Sequence, residues 1–241
     1  MIKRGPRIVT DGLFFYIDAA NSKSYISGSD FTSNILSTSL TGSFINNTTV
    51  DYSIKNGVFT FDGNDDAIKL GGTDDANSWL IPSNSTDPFS FSAWFNTNDT
   101  STSQYIIVAA QGGGSTFNLR IVSNIVRFRI RYQSGSPYYK DIDTSTILSN
   151  NVWYNVVMVF TGSEMKIYLN GIEDATPIST TFYRLTSAVN GAIGTYWYYL
   201  TNAPYAGDFN GELGPMAFYK SKALSSQEVL QNYNALKGRF G

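Results

Sequence analysis

A chain of 241 residues with a formal charge of -2 and no His or Cys has room for one large β domain or two small ones, with a sizeable core. The missing residue types exclude Ser-His and Cys-His nucleophile pairs, ordinary zinc sites and a disulfide framework, and the charge offers no basic excess for nucleic acid or anionic lipid. Aromatic residues make up 15% of the chain and sit among Ser, Thr, Asn and Gly, the makeup of strands joined by polar turns.

Residues 1–10, MIKRGPRIVT, are expected to form an arm carrying Lys3, Arg4 and Arg7; residues 11–241 read as one domain. Asp11 and Gly12 interrupt the apolar run that a signal peptide would need. Nowhere does an apolar run approach the roughly 20 residues of a membrane-spanning helix. Residues 20–50 are polar and loop-like. In FTFDGNDDAIKL, residues 59–70, the carboxylates of Asp62, Asp65 and Asp66 lie between two apolar runs. A hairpin turn is expected there, with Asp and Asn side chains bonding local backbone and Gly63 at positive φ. Asp62, Asn64 and Asp66 have the spacing of the first ligands of a calcium loop. A helix-loop-helix site, however, would need Gly at Ala67 and Glu at Thr73, with helices on its flanks.

FSFSAWF alternates Phe89, Phe91 and Ala93 against Ser90, Ser92 and Trp94. IVRFRIRY sets Val126, Phe128, Ile130 and Tyr132 on one face and Arg127, Arg129 and Arg131 on the other. Three cations side by side repel unless solvent or a partner screens them, so this is either a solvated face or a dock for an acidic surface. KDIDTS places Asp141 and Asp143 two apart, as a polar strand end would. WYNVVMVF and MAFY read as buried strands. EMKIYLNGIED alternates up to Asn170-Gly171, a tight-turn pair. In GTYWYYLTNAPYAGDF, the rings of Tyr196, Trp197, Tyr198, Tyr199 and Tyr205 crowd a strand end and a loop. Such rings stack on sugar faces, with Asn202 and Asp208 as polar contacts, or they pack against core and neighbouring subunit. Last, LSSQEVLQNYNALKG pairs Ser225 with Glu228 as a capping box, spaces Val229, Leu230, Tyr233 and Leu236 helically, and ends on Gly238. It predicts one helix over 225–237.

Strand signals recurring every ~8–15 residues predict an all-β fold, an antiparallel two-sheet sandwich or jelly roll. DGLFFYIDAANSKSY, FTFDGNDDAIKL, FSFSAWF, WYNVVMVFTGSEMKIYLNG, GAIGTYW and FNGELGPMAFYKSKALSSQEV, in that order, resemble the concanavalin A-like jelly rolls of the laminin-G-like type. The resemblance covers most of residues 11–236. The opening IVTDGLFFYIDAANSKSY and the closing ALSSQEVLQNYNALKGRFG resemble small virion structural proteins of tailed bacteriophages. That second resemblance implies a non-enzymatic virion protein, made in the host cytoplasm without a signal peptide. It would decorate the head or tail in several symmetric copies, with other virion proteins as partners. The alternatives on this fold are a lectin-like module for carbohydrate or host receptor, and a glycoside hydrolase. Retaining hydrolysis needs two carboxyl groups ~5 Å apart. The sandwich version is a Glu-x-Asp-x-x-Glu strand, and none of Glu164, Glu173, Glu212 and Glu228 sits in that pattern, so no catalytic residues are expected. The resemblance further implies a structural calcium near Asp62, Asn64, Asp65 and Asp66, helped by an Asp early in the last strand. The matching position here is Gly214, with Glu212 two residues away, so no cofactor is expected and calcium is the alternative.

Overall fold

The computed structural model describes residues 6–71, 80–111, 114–183, 190–198 and 203–241. In chain order the strands begin with β1 Leu13–Ile17, β2 Phe31–Asn34, β3 Ser37–Ile45, β4 Thr49–Asp51, β5 Val58–Asp62 and β6 Ala67–Leu70. They continue with β7 Phe89–Thr97, β8 Gln104–Gln111, β9 Gly114–Val122, β10 Ile125–Arg131, β11 Tyr139–Asp143, β12 Tyr154–Phe160 and β13 Glu164–Leu169. The last are β14 Ile172–Glu173, β15 Ile178–Ser179, β16 Asn190–Ile193, β17 Tyr196–Tyr198, β18 Ala203–Ala206 and β19 Asn210–Lys220, followed by helix α1, Ser226–Phe240.

Two antiparallel sheets face each other. The nine-stranded sheet runs β14-β13-β12-β7-β19-β5-β4, with β1 beside β19 and β15 beside β13; the eight-stranded sheet runs β11-β10-β9-β8-β16-β6-β3-β2. β17 and β18 form a separate hairpin. Alternation explains the core between them. Phe117, Leu119 and Ile121 of β9 and Val126, Phe128 and Ile130 of β10 point inward from one sheet; Phe89, Phe91 and Phe95 of β7 and Met158 and Phe160 of β12 meet them from the other. The predicted all-β jelly-roll sandwich with one terminal helix is the observed architecture.

The nine-stranded sheet is covered on both faces, which is why β7 and β12 are buried along most of their length. Outside it, Val157, Val159, Tyr168 and Tyr219 pack with Val229 of α1, and Trp94 stacks on Tyr233 and Phe240 at 5.5 and 4.6 Å. Ser90, also beneath this cover, donates to the Lys222 carbonyl and accepts from the Leu224 amide. The chain before β1 is pinned to the same face: Asn232 accepts from the Val9 amide, and Tyr219 donates to the Val9 carbonyl.

Three local expectations are corrected. The capping box of Ser225 and Glu228 starts α1 as predicted, but the helix runs through Gly238 and is capped at Gly241. Burying Phe240 against Trp94 outweighs the ~1 kcal/mol that a helical Gly costs. The turn after β5 is not a hairpin. It carries the chain from the nine-stranded sheet to β6 in the eight-stranded one, so that Phe59 and Phe61 face Ile68 and Leu70 across the core. Residues 20–50 hold β2, β3 and β4 rather than loop alone. Their Ser- and Thr-rich stretches, at or next to sheet edges, lack the apolar alternation that marks a core strand. The Asn170-Gly171 turn is as predicted, with φ of 51° and 83°.

Candidate functional site

The outward side chains of β9 to β11 form a polar face on the eight-stranded sheet. Cross-strand register sets Arg127 between Arg120 of β9 and Asp143 of β11, and Arg129 between Asn118 and Asp141. Asp143 accepts two hydrogen bonds of 2.7 Å from Arg127, and Asp141 two of 2.6 Å from Arg129. Arg127 also lies 3.5 Å from Asp141. Donating to Asp143 and Asp141 raises the pKa values of Arg127 and Arg129 above the ordinary arginine value. The repulsion foreseen within the arginine row is thus relieved by the neighbouring strand. KDIDTS, read as a polar strand end, is the strand that does so.

Two arginines on this face have no carboxylate partner among the described residues. Arg131 lies 4.9 Å over Tyr138 and 5.7 Å over Tyr183, and donates to the Gln133 carbonyl at 3.3 Å. Arg120 lies 5.7 Å over Tyr105 and donates to its hydroxyl at 3.2 Å. Along β9, three successive outward residues each hold a buried polar atom with no hydrogen-bond partner: Thr116 Oγ1, Asn118 Oδ1 and Arg120 Nε. Thr116 is 0% and Asn118 1% exposed. Side chains two apart on a strand stand ~6.8 Å apart, so these atoms make a ladder of acceptor and donor positions. Beside the ladder, Val108, Ala110, Ala192 and Ala67 form a flat apolar floor with Tyr105 and Tyr196 against it. The two tyrosine rings sit 5.3 Å apart.

Of the aromatic-rich segment, the structure therefore places Tyr196 on this face. Tyr199 and Asn202 lie outside the described residues, and only the backbone is described for Trp197, Tyr198 and Tyr205. Asp208 belongs elsewhere, with the acidic turn. Thr195 donates to it at 2.5 Å, and Asp65 and Asp62 are close enough to act on its charge. Carboxylate oxygens of Asp62, Asp65 and Asp66 all lie within 4.8 Å of one another. Asp66, 2% exposed, accepts from the amides of Asn47 and Asp62, and Asp62 accepts from the amide of Asn64. These backbone bonds are the ones expected of the turn. Gly63 has φ +82°, and a Cβ there would come 2.8 Å from Asn210. Burial pushes the Asp66 and Asp208 carboxyls up, and charge on Asp62 and Asp65 adds to it in both. Gly214 lies apart from this knot, packed on Phe240 and Trp94.

Sequence reasoning missed Thr116, Asn118, Arg120 and Tyr105. STFNLRIV carries the same period-two signal as IVRFRIR: Phe117, Leu119 and Ile121 point inward, and Thr116, Asn118 and Arg120 outward.

Residues 62–230 match the family described as the concanavalin A-like lectin/glucanases superfamily. No curated protein matches the sequence. Among solved structures, domain 4 of AbnA, a GH43 extracellular arabinanase from Geobacillus stearothermophilus, in complex with arabinotriose, is similar with a TM-score of 0.62 at 15% identity, over 92% of this chain and 98% of that one. The botulinum neurotoxin serotype D/C VPI 5993 binding domain is similar at 0.65 and 15%, over 93% and 52%. Trypanosoma rangeli sialidase in complex with sialic acid is similar at 0.63 and 12%, over 98% and 35%. The chain thus spans about half of the toxin domain and a third of the sialidase, and at these identities the likeness is one of fold. With the family matched over more than half its length, this chain belongs to the concanavalin A-like lectin/glucanases superfamily.

Proposed function

We propose that this protein is a lectin-like module that holds a saccharide on the outer face of its eight-stranded sheet and does not transform it. The observation that carries this reading is the ladder of Thr116, Asn118 and Arg120, whose buried polar atoms have no partner. Such atoms cost ~1–3 kcal/mol each when left unmet. Saccharide hydroxyls both donate and accept, which is the chemistry all three atoms ask for; with Thr116 0% and Asn118 1% exposed, their cover has to part for the sugar to enter. The rings of Tyr105 and Tyr196, tilted 59° to each other, offer apolar surface beside them. Fold relatives solved with arabinotriose and with sialic acid support the ligand class.

The non-enzymatic part rests on the carboxylates of the same face. Asp141 and Asp143 each accept an arginine fork, which leaves neither placed to deliver a proton. Glu228 is spent on its capping box and on Lys222, and Glu212 belongs to the other sheet.

The test is a glycan array followed by calorimetry on the array's best ligand. Thr116→Val removes one unpartnered hydroxyl while keeping its shape. It is expected to raise stability by about 1 kcal/mol and weaken binding about tenfold; Asn118→Ala should weaken binding likewise. Full binding by both variants refutes this placement of the site.

The acidic knot offers only hard oxygen donors, and among the described residues no Lys or Arg pairs with it, which fits a calcium ion. In this reading Asp62, Asp65 and Asp66, whose carboxylate oxygens lie within 4.8 Å of one another, hold the ion. Because the Asp66 and Asp208 carboxyls are pushed up, their own contribution to metal-free stability is fullest below the ordinary Asp range and falls as pH rises through the shifted values. Millimolar calcium at neutral pH is expected to raise Tm by about 2–4 °C for each kcal/mol it adds, and Asp65→Asn to abolish the gain in a thermal melt.

A tailed-phage virion is the setting proposed for this module, supported by the likeness of the two ends of the sequence to such proteins. Those ends pack together: Val9 on Asn232, and the Arg7 carbonyl on Gln231. Recovery of the chain in purified particles, in several copies, would bear this setting out.

A further inference from the structure

We propose that the outer face of the nine-stranded sheet carries a second binding site, for the primary ammonium group of an amino sugar, built around Glu212, Asn96 and the ring cluster at the end of α1. Glu212 of β19 pairs in register with Asn96 of β7 and Thr60 of β5, and Thr60 with Thr49 of β4. Residues directly paired across a sheet share a face, so Thr49, Thr60, Glu212 and Asn96 form one row. Trp153, just before the Tyr154 that pairs with Phe95, continues it, and its ring lies 4.7 Å from Phe240.

Two acceptors in this row lack donors. Asn96 Oδ1 is buried without a partner. Glu212 is half-buried, and burial first and Asp51 second push its carboxyl up, with no hydrogen bond offsetting them. Two residues back along β7, Trp94 is 3% exposed and its indole N–H is also buried and unpartnered. Arg239, at the end of α1, is committed elsewhere: it donates to Asp18 and to the carbonyls of Lys55 and Gly57.

A carboxylate and an amide oxygen without donors, beside aromatic rings and a second carboxylate, ask for a compact cation with several N–H groups. The hydroxyls of Thr49 and Thr60, 2.6 Å apart, and the Trp94 N–H suit the hydroxyls of a sugar bearing that cation. Even a half-buried carboxylate without a partner lowers stability, and a binding site is where such a cost is retained. This site shares no residue with the Thr116 ladder.

The test titrates the whole chain with a glucosamine tetramer and with its fully N-acetylated counterpart, which differs by losing the charge. The glucosamine tetramer is expected to bind at least about tenfold more tightly. Glu212→Gln and Asn96→Ala should each weaken it by a similar factor, Glu212→Gln while melting higher than wild type, and Thr116→Val should leave it unchanged. Equal affinity for the two tetramers, full binding by Glu212→Gln, or equally tight binding of a lysine tetrapeptide would overturn the proposal. Loss of the Thr116 ladder's own ligand would not touch it.

Discussion

Replacing Arg239 by Met is expected to cost about 3–5 kcal/mol of stability, read as a fall in the urea midpoint at unchanged slope. Arg239 lies in the last turn of α1, with its side chain 14% exposed, and faces an Asp18 side chain 12% exposed. It meets both oxygens of Asp18 at 2.8 and 3.0 Å and the carbonyls of Lys55 and Gly57. The pair itself gains little over a well-packed apolar one, since both charges lost their water. Removing one partner is different: it strands the Asp18 charge in a nearly dry place and strips two carbonyls of their donor. The double variant Asp18→Asn with Arg239→Met should therefore recover part of the loss. A single variant as stable as wild type would mean that α1 is not anchored through this contact.

Phe89→Ala is expected to cost a further about 3–5 kcal/mol, on the scale of other fully buried Phe truncations. Phe89 is 0% exposed and lies within 6.3 Å, centroid to centroid, of Phe117, Phe128, Phe160, Phe182 and Phe218. Those rings come from both sheets and from the chain after β15, so the hole cannot close by moving one element. Folded domains are stable by ~5–15 kcal/mol in total, and this substitution removes a large share. Phe89→Leu, which keeps most of the volume, should lose much less; equal losses would show that the cluster repacks freely.

Sheets, core and helix were legible because each rests on local periodicity. IVRFRIR, EMKIYL and WYNVVMVF state their inward faces outright, and Ser225 with Glu228 marks the start of α1. Pairing partners were not legible. That Asp141 and Asp143 neutralise Arg129 and Arg127, or that β5 and β6 belong to different sheets, depends on strand order, which no single strand encodes. The site suffered for the same reason. Asp208 was grouped with the rings that follow Tyr196, yet it folds back beside Asp62 and Asp65. Thr116, Asn118 and Arg120 look like ordinary outward residues until the register brings Tyr105 and Arg127 beside them. Strands at or next to a sheet edge, such as β2 and β3, stayed hidden because they have little apolar alternation to show.

The central claim is that the outer face of the eight-stranded sheet binds saccharide. The most direct measurement is an amide chemical-shift titration of the whole chain with the best array ligand. The largest shifts are expected at Tyr105, at residues 115–121 and at residues 127–131, with saturation. Saturating shifts confined to other parts of the molecule, or no saturable shift with any glycan, would contradict the account.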